Sequence, residues 1–255
     1  MSTTLNSGTV AGALQLLAYI PGSDSIFCAP IPIAIHSGFP DASHFAVFPL
    51  YINFPGFSFF GRVDSIKALV GDMYANPVPQ GTAVYFSTDA GIIEGSATTD
   101  SAGFATVRLF SGPPTPPATN PLGIVTAQTV GQGGQILSDS ASVLFSGISQ
   151  IYDLSPTDFS IADGGSQTFE FRLSDQNGFP LAHDTHILIE STAGGVLGDV
   201  DVVFPDTQSL EWTYFSFVLF DNNPNDADPP VIAAVSIYVS SPNGDASLII
   251  TGTMD

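Results

Sequence analysis

Hydrophobic positions along this chain alternate with polar ones in short runs. Gly, Pro, Asn and Asp break the runs before they reach helical length. In an extended strand successive side chains point to opposite faces, so alternation at a period of two marks a half-buried strand. Ile31, Ile33 and Ile35 share one face of such a run, which stops at His36, Ser37 and Gly38. Ala105, Val107 and Leu109 share a face of another and send Arg108 to the opposite side. Thr82 to Phe86 is a β-branched and aromatic run, entered through the turn Asn76-Pro77-Val78-Pro79-Gln80-Gly81, where Pro fixes φ and Gly permits a positive one.

The pattern repeats. Phe169, Phe171 and Leu173 form an early strand, and Asp175, Asn177, Pro180 and Leu181 echo Asp72, Asn76, Pro77 and Val78. Thr185 to Ile189 matches Thr82 to Phe86, and Phe215, Phe217 and Leu219 take the places of Ala105, Val107 and Leu109. Closing dipeptides at Ser37-Gly38, Ser146-Gly147 and Thr251-Gly252 recur at about 105 residues, the size of an immunoglobulin-like domain. The expected fold class is all-β, tandem immunoglobulin-like β-sandwiches. Residues 44–147 form one sandwich and 148–255 a divergent second one. Residues 1–43 hold only two strand runs, Gly12 to Ile20 and Pro30 to Ile35. Two strands do not make a stable sandwich, so this segment is expected to be an incomplete module, the last strands of a further repeat.

Composition sharpens the picture. The 25 glycines and 20 prolines spread along the chain as turn punctuation. Acidic residues number 24 against four basic ones (Arg62, Lys67, Arg108, Arg172), a net charge of −20. Nucleic-acid binding needs cations that neutralise phosphates, so it is excluded, and an anionic membrane surface is disfavoured for the same reason. Cys28 is the single cysteine, which rules out a disulfide framework within the chain and a multi-cysteine zinc site; it is expected to be a small buried hydrophobe. No run approaches the roughly 20 apolar residues of a membrane span. Thr9 to Ile20 is apolar but lacks a preceding Lys or Arg, a poor match to a signal peptide. The chain is expected either to have lost an export signal or to be part of something longer.

Candidate chemistry is sparse. Nucleophile-elbow, phosphate-loop and paired-histidine zinc motifs are absent, so no catalytic residue is assigned. His183, Asp184 and His186 form the best metal or acid–base candidate. His183 falls in a turn, however, and three residues apart on a strand the two imidazoles would face opposite sides. Asp221, Asn223, Asn225, Asp226 and Asp228 make the densest oxygen cluster. They resemble the start of a calcium loop without its sixth-position Gly and twelfth-position Glu, so calcium and a plain polar turn both stand. Trp212 and Tyr214 alternate with Phe215 and Phe217; if the two Phe face the core they face outward, as ligand contacts for a sugar ring or a neighbouring module, and packing within the chain is the other reading.

The best-preserved stretch carries a resemblance. Asp72, Asn76, Pro77, Val78, Pro79, Gly81, Thr82, Val84, Phe86, Gly91, Thr99, Asp100, Gly103, Ala105, Thr126 and Ala127 are similar to the pattern of group-one bacterial Ig-like domains, the invasin and intimin type. The second copy departs from it at Gln208 to Phe215, where Thr-Asp-x-x-Gly-x-Ala is missing. The resemblance implies an extracellular or cell-surface rod of stacked sandwiches that spaces, displays or adheres without catalysis. Its expected partners are neighbouring modules, or further copies joined through the incomplete N-terminal module, and a glycan or surface receptor. An alternative is a carbohydrate-binding or enzyme-accessory module, stabilised by calcium.

Overall fold

The computed structural model describes residues 4, 6, 8–20, 22, 28–223 and 229–255, and strands dominate them. Gly12–Leu16 (β1) and Ile31–Ile35 (β2) pair antiparallel as a hairpin, with Leu14 opposite Ile33 and Leu16 opposite Ile31. The expected strand to Ile20 stops at Leu16. Beyond it Cys28 donates its N–H to the Ala18 carbonyl at 2.8 Å, and Cys28 Sγ accepts the Ala18 N–H at 3.1 Å. Cys28 is half-buried there rather than sealed in a core.

The first sandwich runs β3 (Phe45–Pro49), β4 (Asn53–Phe54), β5 (Val63–Val70), β6 (Ala83–Thr88), β7 (Ile92–Ile93), β8 (Ser96–Thr98), β9 (Phe104–Phe110), β10 (Leu122–Val130) and β11 (Ile136–Phe145). The second runs β12 (Ser149–Ser155), β13 (Phe159–Ile161), β14 (Ser166–Asp175), β15 (His186–Ser191), β16 (Gly195–Gly198), β17 (Asp201–Val203), β18 (Tyr214–Phe220), β19 (Val231–Ser240) and β20 (Ala246–Met254). Their topologies are identical. The four-stranded sheets are ordered β3-β5-β9-β7 and β12-β14-β18-β16, the five-stranded ones β4-β11-β10-β6-β8 and β13-β20-β19-β15-β17. In each, the opening strand splits, one half joining each sheet, and the second half pairs parallel with the last strand. This is an immunoglobulin-like arrangement.

The alternation read from sequence becomes the core. Ile66, Ala68 and Val70 with Ala105, Val107 and Leu109 face Val84, Phe86, Val125, Ala127, Val143 and Phe145. In the second sandwich Phe169, Phe171 and Leu173 with Phe215, Phe217 and Leu219 face Ile187, Ile189, Val235 and Ile237. Most of the aromatic bulk has changed sides, Phe45 and Phe159 excepted. The first core takes Phe54, Phe86 and Phe145 from the five-stranded sheet, where the second has Ile161, Ile189 and Met254, and Phe45 from the four-stranded one. The second takes Phe169, Phe171, Phe215 and Phe217 from the four-stranded sheet, with Phe169 stacked on Phe217 at 4.8 Å. Exchanging large for small across facing layers keeps core volume while erasing sequence identity, which is why the repeat is weak to the eye.

Two expected correspondences are corrected. Phe179, not Asn177, occupies the place of Asn76: Asp175 N–H donates to the Phe179 carbonyl as Asp72 N–H does to that of Asn76. Thr251-Gly252 is not a closing dipeptide, because it lies inside β20 with Gly252 opposite Phe159. Asp255 takes the place of Ser146, since its N–H reaches Ile161 O as that of Ser146 reaches Phe54 O.

Candidate functional site

Polar side chains concentrate where the units meet. Asp72 folds its own turn by accepting the N–H groups of Tyr74 and Asn76 on Oδ1, and its Oδ2 accepts the Gly38 N–H at 2.9 Å. Asp175 repeats this: Oδ1 accepts Asn177 and Phe179 N–H, and Oδ2 accepts Gly147 N–H at 2.8 Å. Each sandwich therefore holds, through one turn aspartate, the glycine that ends the preceding strand. The Asp-x-x-x-Asn/Phe-Pro signature thus has a structural use that its residue types alone do not reveal.

The joint between the two sandwiches carries more. Asn53 is fully buried, and its side-chain amide donates to the carbonyls of Pro180, Leu181 and Thr207, each at 3.0 Å. Asp206 returns the contact, accepting Ile52 N–H at 2.8 Å and Asn53 N–H at 3.0 Å. Gln208 donates to Ile52 O at 2.7 Å, and Asn243 to Ser146 Oγ at 2.9 Å and Gly147 O at 2.6 Å. Gln176 accepts the Ile148 N–H and donates to Ser58 Oγ. Tyr51 stacks on His183 with centroids 3.7 Å apart. Asp206 and Gln208 come from an insertion: nine residues separate Phe204 from Tyr214, where four separate the corresponding Thr99 and Phe104.

Burial and hydrogen bonding set the charges. Burial pushes the Asp64 carboxyl up to about 6, against the N–H groups of Ser65 and Tyr51, and the Asp206 charge adds to the rise. Its Oδ2 is buried with no partner, as is Asn53 Oδ1. At Asp72 burial also acts upward, but the Gly38 N–H, the Asn76 side-chain amide and the N–H groups of Tyr74 and Asn76 outweigh it and hold the carboxyl at about 2. At Asp175 burial wins and its carboxyl is raised. Phe179 stands where Asn76 would supply a side-chain donor.

The residues singled out from sequence scatter. His186 pairs with Asp201 at 2.6 Å and His183 with Asp184 at 3.0 Å, so the two imidazoles serve different carboxylates. Asp221 accepts the Asn223 N–H within its own turn and the Gly164 N–H from the turn before β14, and these bonds lower its carboxyl. Asn225, Asp226 and Asp228 lie outside the described residues. Among the described residues no group of three or more His, Cys, Asp or Glu is placed to hold a metal. Trp212 does not face outward. It sits in the short turn Leu210–Thr213 before β18, where strand alternation does not apply, and packs half-buried on Phe204 at 5.5 Å.

Tyr214 does face outward, 62% exposed. It belongs to a rung across the four-stranded sheet, Tyr152–Arg172–Tyr214 on β12, β14 and β18. The Arg172 guanidinium lies 5.1 Å from the Tyr152 centroid and 4.5 Å from that of Tyr214. A cavity of about 530 Å³ opens there, lined by Asp153, Glu170, Arg172, Asp199, Tyr214 and Ser216 among others. The same rung of the first sandwich is Ala46–Leu69–Phe104, without charge. Sequence reading missed Arg172; its signal was a lone cation on a strand whose neighbours Phe171 and Leu173 point inward.

No family model matches the chain, and no curated protein matches it. Solved structures do. One is the D0-D1 domain of intimin, 16% identical, with 84% of this chain and 98% of that one covered and a TM-score of 0.32. Another is InvD of Yersinia pseudotuberculosis, 15% identical over 84% of this chain and 58% of that one, TM-score 0.42. A third is the titin I-band fragment I67–I69, 11% identical over 86% and 65%, TM-score 0.40.

Proposed function

We propose that this chain is a non-catalytic rod segment of a bacterial surface or secreted protein, whose stacked sandwiches space or display a binding region outside the cell. The modules are residues 44–147 and 148–255, and residues 1–43 are the last strands of another. The observation that carries this reading is the joint: Asn53, Asp206, Gln208, Asp175 and Asn243 tie backbone to side chain across it, so the angle between the sandwiches is held rather than hinged. The recurrence of the aspartate-to-glycine contact at Asp72 supports a repeating rod. Its neighbours in this reading are other modules, in the same chain or in a second copy engaged through the N-terminal hairpin. Backbone 15N relaxation tests it. A rigid rod gives both sandwiches one anisotropic tumbling time; two independent times would overturn the reading.

A further inference from the structure

The two sandwiches share topology, and one outward rung of the four-stranded sheet sets them apart in charge. Where the first has Ala46, Leu69 and Phe104, the second has a guanidinium set between two tyrosines. Glu170 and Ser216 follow one rung along the same face. Asp153 rises on one side, at a break in register between Tyr152 and Ser155, with a left-handed φ of 53°. Asp199 stands on the other, its Oδ2 accepting the Ser216 N–H at 2.8 Å. Non-glycine residues held in that left-handed conformation concentrate at binding sites. Arg172 Nε is buried without a partner, and Nη2 reaches only Thr213 Oγ1, at 3.4 Å. Among the described residues no carboxylate pairs with Arg172, although three line its cavity.

We propose that this face of the second sandwich is a saccharide-binding site for a neutral glycan. A sugar ring offers an apolar C–H face and a rim of hydroxyls that both donate and accept. Tyr214 supplies an exposed ring for the first. Arg172 supplies donors for the second, and Asp153, Glu170 and Asp199 supply acceptors. The cavity of about 530 Å³ falls within the usual range for small-ligand sites. Charge narrows the class. Three carboxylates against one guanidinium, on a chain of net charge −20, repel sialylated or sulfated sugars. A cationic guest at these rings would stand beside the Arg172 guanidinium and be repelled by it. Trp212 does not line the cavity and packs on Phe204.

Saturation-transfer NMR on the whole chain tests the proposal, with methyl glycosides of glucose, galactose, mannose and N-acetylglucosamine as probes and N-acetylneuraminic acid as the anionic control. At least one neutral glycoside is expected to bind. Tyr214→Ala is expected to weaken it about tenfold or more, and Glu170→Gln by a similar factor. Tyr85→Ala, at an exposed tyrosine of the first sandwich, is expected to change nothing. Binding by no neutral glycoside, binding by the anionic sugar alone, or unchanged affinity in Tyr214→Ala would each overturn it. If Tyr214→Ala does not fold, Glu170→Gln decides alone, since its exposed side chain is dispensable for packing. These outcomes leave the tumbling test of the rod untouched, so the two readings fail separately.

Discussion

Asp206 of the second sandwich accepts the backbone N–H of Asn53 in the first at 3.0 Å, and with its other oxygen the N–H of Ile52. Hydrogen bonds to a charged acceptor contribute about 1.5–3 kcal/mol each, less where solvent reaches them. Asp206→Ala is therefore expected to uncouple the sandwiches. Trp212 is the single tryptophan and lies in the second, so its fluorescence follows that unit while circular dichroism follows both. In the native chain the two denaturation curves should coincide; in Asp206→Ala they should separate. Coincident curves with an unchanged midpoint would mean that the clamp contributes nothing.

The same joint makes stability depend on pH in a definite direction. The Asp64 carboxyl titrates near 6 when folded, against an ordinary 3.8. A raised carboxyl means the folded state binds the proton more tightly than the unfolded one. The stabilisation is complete below about pH 4 and is lost as pH rises through 6, an effect on the order of 2–3 kcal/mol. Asp175 acts with the same sign, and Asp72, held at about 2, does not change over this range. The melting temperature should thus rise by several degrees between pH 7.5 and 5. Asp64→Asn, neutral at every pH, should raise the value at pH 7.5 and flatten the rise. A melting temperature that falls on acidification would refute this account.

Much of this fold is legible in the sequence because its signals are local. Alternation at Ala105, Val107 and Leu109 and at Phe215, Phe217 and Leu219 places the inner faces, and the Gly and Pro turns place the ends. The joint is not legible, because Asn53 opens a two-residue strand, Asp206 and Asn243 are ordinary loop residues, and their partners lie outside their own unit. Nor was the position of Trp212. The five added residues before β18 turn the chain through a short helical turn, and alternation read backwards from Phe215 stops being valid at Thr213. The site around Arg172 depends on strand register, which sets Tyr152, Arg172 and Tyr214 abreast although they are far apart in sequence.

Gly91 and Gly194 hold the same turn in the two sandwiches, with φ of 73° and 72°. A Cβ at Gly91 would stand 2.6 Å from Phe110 O, and one at Gly194 2.5 Å from Phe220 O. Gly91→Ala and Gly194→Ala are each expected to cost about 1–3 kcal/mol, from the left-handed backbone and the collision together. Gly133 has a similar φ of 71° but open space around it, so Gly133→Ala isolates the backbone cost and should lose less. Urea midpoints of the three variants measure the difference. Equal losses in all three would show that the collision with the strand carbonyl is relieved at no cost.

The β1–β2 hairpin is the least covered part of the described chain. In both sandwiches the last two strands are flanked, antiparallel by an inner strand on one side (β6 or β15) and parallel by a short strand on the other (β4 or β13). β1 and β2 are placed in the chain like those last two strands and have neither flank among the described residues, while Leu14, Leu16 and Ile31 are exposed. Open edges with apolar side chains add further strands. The chain is therefore expected to self-associate through this hairpin, with the associated fraction rising with concentration in light scattering. Removal of residues 1–37 should yield a monomer with both sandwiches folded. Ile33→Lys, which puts a charge among the apolar side chains of the hairpin, should do the same in the full chain. A native chain that stays monomeric up to the highest concentration measured would sink the intermolecular role of the hairpin.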